Sequence, residues 1–124
     1  MSHDQHILLV ENNEKEANTL KLILEGQGFN VDTAYSGWAA VEKLKVRKYG
    51  SVILDFGLAD MKGDELAEKI MIEDPGTGII LLTGFKPVIE PVRLDKFDYV
   101  FKKPADPKKI LEAMRILTKV VKKV

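Results

Sequence analysis

The chain has 124 residues, which suits one domain around one core. Its 19 basic and 19 acidic side chains cancel to a formal net charge of zero, arguing against broad, charge-driven binding to nucleic acid or anionic lipid. It has no cysteine, which excludes a disulfide framework, a thiolate nucleophile and zinc–thiolate sites. No apolar stretch approaches a membrane span, and Met1-Ser2-His3-Asp4-Gln5-His6 lacks the basic and apolar halves of a secretory signal. The expectation is a cytoplasmic single domain over residues 1–124, with no membrane contact and residues 1–5 as a flexible tail.

Short apolar runs alternate with longer amphipathic stretches. Ile7-Leu8-Leu9-Val10 reads as a strand. Asn12 or Asn13 can cap the helix that follows, with Ala17, Leu20, Ile23 and Leu24 inward and Gly26 and Gly28 at its end. Asn30 to Ala34 reads as a short strand with Val31 and Thr33 on one face. Ser36-Gly37 opens a second helix with Ala40, Val41 and Leu44 inward. Ser51-Val52-Ile53-Leu54 is the third strand, and Gly63 feeds a helix from Asp64 with Leu66, Ala67, Ile70 and Met71 on its apolar face. Asp74-Pro75-Gly76 is a stop and turn before a fourth strand, Ile79-Ile80-Leu81-Leu82. From Gly84 to Asp98 the pattern is irregular, because Pro91 would interrupt any helix begun at Pro87. Tyr99-Val100-Phe101 is the fifth strand, and the last helix starts near Asp106-Pro107 with Ile110, Met114, Leu117 and Val121 inward.

Strand followed by helix, five times over, implies right-handed crossovers and an α/β three-layer domain with a parallel sheet covered on both faces. Strands rich in Ile, Leu and Val fit that burial. The strands end unusually. The first stops at Glu11, the third at Asp55, the fourth at the hydroxyl of Thr83, and the fifth runs into Lys102-Lys103-Pro104. A bare charge at a core-facing strand end loses hydration unless the rim is wet or put to use. In open parallel sheets that rim is where ligands bind. Two doubly wound strand orders are common, and in the order 2-1-3-4-5 the first and third strands are neighbours, so that Glu11 and Asp55 share one rim.

Together, Ile7 to Glu14, Val52-Ile53-Leu54-Asp55, Leu58-Ala59-Asp60-Met61-Lys62-Gly63, Leu81-Leu82-Thr83-Gly84 and Lys103-Pro104 resemble the receiver domain of two-component response regulators, over nearly the whole chain. The resemblance implies the flavodoxin-like order 2-1-3-4-5 and a signalling role rather than an enzyme's. It implies that Asp55 accepts a phosphoryl group from a sensor histidine kinase or phosphotransfer protein, forming an acyl phosphate. It also implies Mg2+ held by Glu11, Asn12, Asp55 and the carbonyl of Gly57, with Lys103 as phosphate partner and Thr83 as the switch hydroxyl. The peptide before Pro104 is expected to be cis.

The chain departs from the family pattern in several places. Asn12 stands where relatives carry a second acid, which predicts weaker metal affinity. Ala59 replaces a usual proline. Val100 sits three residues before Lys103, where relatives often carry an aromatic, and strand register decides whether Tyr99 or Phe101 can substitute. Lys102 competes with Lys103 for the phosphate-partner role, which the lysine directly before the proline fills in relatives. The irregular stretch Phe85 to Asp98 implies a modified output face or a mobile one.

These departures keep open an alternative, a phosphorylation-impaired pseudo-receiver acting as an interaction module. A flavodoxin-like cofactor binder shares the layout but would want a Ser/Thr/Gly-rich phosphate loop where Glu11-Asn12-Asn13-Glu14 stands. A hydrolase is disfavoured because neither histidine lies near the rim. His3 and His6 fall in the expected tail, and Trp38 reads as a partly exposed packing residue. Lys119, Lys122 and Lys123 suit a solvated helix end. The remaining expected partners are a downstream protein of unspecified kind and a second copy in a weak homodimer, with no direct nucleic-acid contact. The chain reads as a stand-alone receiver or a piece of a longer regulator.

Overall fold

In the computed structural model the described residues are 6–84 and 96–122, with side chains described as far as residue 117. The elements are β1 (His6–Val10), α1 (Glu14–Glu25), β2 (Asn30–Ala34), α2 (Gly37–Val46), β3 (Ser51–Asp55), α3 (Gly63–Glu73), β4 (Gly78–Thr83), β5 (Tyr99–Lys102) and α4 (Pro107–Lys122). All strand pairs are parallel, in the order β2-β1-β3-β4-β5. This selects one of the two doubly wound orders and brings the ends of β1 and β3 together.

Strand side chains alternate between two cores, which is why the runs are apolar throughout. Leu8, Val10, Val52, Leu54, Ile79 and Leu81 pack against α2 and α3 through Ala40, Val41, Leu66, Ala67 and Ile70. Ile7, Leu9, Ile53, Ile80 and Leu82 pack on the other face against α1 and α4. Side-chain oxygens start the helices. Asn13 accepts the Glu16 N–H at 3.1 Å and Ser36 the Ala39 N–H at 3.1 Å. Asp106, just before Pro107, accepts the Lys108 N–H at 2.9 Å.

Several sequence expectations shift. α3 begins at Gly63 rather than Asp64, and position 63 requires glycine, since a Cβ there would sit 2.9 Å from the Phe56 Cα and 3.0 Å from a Leu54 methyl. Met71 is 45% exposed, since it lies about a quarter turn from the centre of the Leu66, Ala67 and Ile70 stripe. α4 buries Leu111 and Ala113 beside Ile110 and Met114, a wider stripe than expected. Gly26 stays right-handed, and the left-handed turn after α1 falls at Gly28, with φ 97°. His6 is not in a tail: it opens β1, and its carbonyl accepts the Gly50 N–H at 2.9 Å.

The tail at residues 1–5 with His3, the irregular stretch at 85–95 with Pro87 and Pro91, and the side chains of Lys119, Val121, Lys122 and Lys123 lie outside the described residues.

Candidate functional site

The C-terminal rim of the sheet holds the site because the strand ladder runs one residue past each strand or loop end there. The Glu11 N–H donates to the Ala34 carbonyl at 3.0 Å, the Phe56 N–H to Leu82 at 3.0 Å, and the Lys103 N–H to Thr83 at 2.8 Å. Backbone pairing therefore fixes the origin of each side chain before any side-chain contact forms.

From those origins, side chains far apart in sequence converge. The Lys103 ammonium donates to Glu11 Oε1 at 2.8 Å and lies 3.3 Å from Asp55 Oδ1. Both carboxylates are nearly enclosed, their side chains being 6% and 11% exposed. The other Glu11 oxygen accepts the Asn13 N–H at 3.0 Å, which aims the carboxylate. Glu16, on the first turn of α1, also accepts from Lys103 at 3.2 Å. Partial burial alone would push the Lys103 ammonium down, but the Glu11 hydrogen bond, with Asp55 and Glu16, holds it well above the ordinary lysine range.

The sequence-predicted residues fall as follows. Glu11, Asp55 and Lys103 meet. Lys102 points away into solvent and pairs in register with Thr83, so the ammonium on the carboxylates is that of Lys103. Thr83 ends β4 and is buried, one residue beyond Leu82, the register partner of Asp55. Asn12 is exposed in the β1–α1 turn and contributes none of the hydrogen bonds to Lys103. Gly57 bridges to Lys62 across the loop after β3. The Lys103–Pro104 peptide is cis.

Register also resolves the aromatic question. Leu81 pairs with Val100, which is 39% exposed on the α2–α3 face. Tyr99 and Phe101 point to the opposite face, stacked with centroids 6.1 Å apart. Neither aromatic stands in for Val100.

Sequence reasoning missed two residues. Glu16 belongs to the cluster, and the available signal was its spacing of four and seven from Leu20 and Ile23, which places it on the same helix face. Asp60 is the other: its two oxygens accept the Gly37 and Trp38 N–H groups, each at 2.9 Å, tying the loop after Asp55 to the start of α2. Trp38 stays half exposed, with the Lys69 ammonium 5.0 Å from its ring centroid.

Among the described residues no group of three or more histidine, aspartate or glutamate side chains is arranged to hold a metal ion. Glu11 and Asp55 nevertheless offer hard carboxylate oxygens within two hydrogen-bond lengths of each other. Two carboxylates completed by water and phosphate oxygens are the donor set that suits Mg2+. An open groove of about 590 Å³ between α1 and α4 adjoins the cluster, lined by Leu9, Glu11, Glu16, Leu20 and Pro104 among others.

Among curated proteins, the chain is 29% identical over 111 residues to the transcriptional regulatory protein ZraR of Salmonella typhimurium, covering 87% of this chain and 25% of that protein. It is 29% identical over 120 residues to the transcriptional regulatory protein CreB of Escherichia coli strain K12, covering 94% of this chain and 52% of that protein. The chain thus spans about a quarter to a half of these relatives. A solved receiver domain protein (CheY-like) from Methanospirillum hungatei superposes with a TM-score of 0.89 at 28% identity, over 95% of this chain and 96% of that one. The response regulator TrrA from Thermotoga maritima, solved with Mg2+-BeF, gives a TM-score of 0.82 at 28% identity, over 90% and 97%. The family description "response regulator receiver domain" matches residues 7–115, and with this strand order and rim the chain belongs to the receiver domains of two-component response regulators.

Proposed function

We propose that this receiver domain takes a phosphoryl group on Asp55, from the phosphohistidine of a sensor histidine kinase or phosphotransfer protein, and so changes what a downstream protein binds. The observation that carries the reading is the single Lys103 ammonium shared by Glu11 and Asp55 at the sheet rim. An Asp55 oxygen attacks phosphorus, the P–N bond to the donor imidazole breaks, and its electron pair stays with the imidazole, which picks up a proton. Lys103 then faces the new phosphoryl oxygens as a point charge. The Thr83 hydroxyl donates to one of them and draws the end of β4 toward Asp55. When bound, Mg2+ would supply the charge that offsets the transferring phosphoryl oxygens, held by Glu11, Asp55 and the Gly57 carbonyl with Asn12 as a neutral fourth donor.

Two solved relatives support the assignment: TrrA carries Mg2+-BeF, and a response regulator from Burkholderia pseudomallei carries a phosphorylated aspartic acid. The domain is a signalling module rather than an enzyme, and the cytoplasm is its proposed setting. Among the described residues no helix is long and apolar enough to cross a membrane. The relatives are transcriptional regulators several-fold longer or about twice as long, so any DNA contact in a longer protein of that kind would belong to its remainder. A weak homodimer is part of the proposal and is read by sedimentation before and after phosphorylation. The pseudo-receiver alternative has no specific observation in its favour beyond Asn12.

The test is intact-mass analysis after acetyl phosphate and Mg2+. One phosphoryl adduct is expected on the wild type, and none on Asp55→Asn or after chelation. An unmodified wild type, or an adduct that survives Asp55→Asn, overturns the reading.

A further inference from the structure

We infer that Glu16 is a positioning residue that restrains Lys103 in the resting protein and slows phosphoryl capture at Asp55. The inference rests on the proposed role of Asp55 and adds Glu16 to the residues that act with it.

A lysine ammonium has three N–H donors. Two of those of Lys103 donate to Glu11 at 2.8 Å and Glu16 at 3.2 Å, and Asp55 lies 3.3 Å away as an ion-pair contact. Hydrogen bonds to Glu11 and Glu16 therefore aim the ammonium, and for it to turn fully onto a phosphoryl group at Asp55 one of those two must be exchanged. The Glu11 contact is the shortest, its side chain is 6% exposed, and its second oxygen is already tied to the Asn13 N–H. Asp55 is the acceptor itself. The Glu16 side chain is 56% exposed, so its released carboxylate regains water at little cost. Glu16 is the contact that yields. It is held in place to make that contact because its own N–H is capped by Asn13 at 3.1 Å and the next residue, Ala17, is fully buried.

Removing the Glu16 charge removes that exchange step. An exposed ion pair of this kind corresponds to about a two- to fivefold effect on rate, and salt screens it. The experiment compares the rate of Asp55 phosphorylation by acetyl phosphate in wild type, Glu16→Gln and Glu14→Gln, at low and high ionic strength. Glu14 is a control on the same exposed first turn, with the same charge and no contact to Lys103. Glu16→Gln should capture phosphate about two- to fivefold faster at low salt, with the gain shrinking at high salt. Glu14→Gln should match the wild type. A Glu16→Gln rate equal to or below the wild type, or an equal acceleration in Glu14→Gln, overturns the restraint while leaving Asp55 as acceptor. A wild type that takes no phosphate overturns the proposed function and this inference with it.

Discussion

The two rims of the sheet are built from similar residue types and used in opposite ways. At the N-terminal rim several polar side chains are stitched to fixed partners, although His6 Nδ1 is buried without one. The Tyr49 hydroxyl donates to Asp32 at 2.7 Å, the Thr77 hydroxyl meets the Tyr49 carbonyl at 2.9 Å and Asp74 at 2.8 Å, and Asp98 accepts the Ile79 N–H at 2.7 Å. Burial and the Asp32 carboxylate together push the Tyr49 phenol well above its ordinary range, so it stays a neutral donor. At the C-terminal rim three carboxylates share one ammonium, leaving the cluster two charges negative. The hydrogen bonds of the first rim close loops. The second carries an excess of negative charge that a cation can relieve and that a phosphoryl group can rearrange. Buried polar groups that are fully paired specify structure, whereas an unbalanced cluster is available for chemistry.

The sharpest way to break this contrast is to remove the shared cation. Lys103→Met leaves Glu11 and Asp55 nearly enclosed and facing each other without compensation, and should cost about 1–3 kcal/mol of stability. Urea denaturation measures it, and added Mg2+ should restore part of the loss. Stability unchanged from wild type would mean that the C-terminal rim is no more strained than the other.

A change at the N-terminal rim should separate stability from function. Thr77→Val keeps the volume but removes the hydroxyl that meets the Tyr49 carbonyl and Asp74, at a cost of about 1–2 kcal/mol. Acetyl phosphate capture at Asp55 should not change. A parallel loss of capture would show that the two rims are coupled.

Restoring a charge at the C-terminal rim should sharpen the comparison. Asn12→Asp should tighten Mg2+ binding about fivefold, or about 1 kcal/mol, by calorimetric titration. Equal affinities would mean that the amide already serves.

The smallest expected effect is acid loosening of the α2 start. Slight burial pushes the Asp60 carboxyl up, but the Trp38 and Gly37 N–H groups outweigh it and hold it below the usual carboxylate range. A depressed folded-state value contributes stability above the ordinary aspartate pKa and loses it as pH falls through the depressed value. Asp60→Asn should therefore flatten the acid limb of the stability curve slightly, read by thermal denaturation across acidic pH. An acid limb identical to that of the wild type would remove Asp60 as the cause.

Much of this architecture was legible in the residues themselves. Apolar runs ending in Glu11, Asp55, Thr83 and Lys103 marked the rim, and Asn13, Ser36 and Asp106 marked the helix starts, because caps and strand patterns are local. Met71 was misplaced because a helix stripe has soft edges, and the demand for glycine at position 63 was hidden because it comes from Phe56 and Leu54 across the loop.

The sequence by itself determined the strand–helix alternation, the helix caps and the chemical types that arrive at the rim, since each depends on neighbours within a few residues. Only the tertiary structure decided that Lys103 rather than Lys102 reaches Glu11, 92 positions away, that Tyr99 and Phe101 face away from Val100's side of the sheet, and that Glu16 completes the cluster. The physical reason is register. Side chains in a strand alternate between faces at every residue, so a single step in how β5 lies against β4 exchanges one set of partners for another.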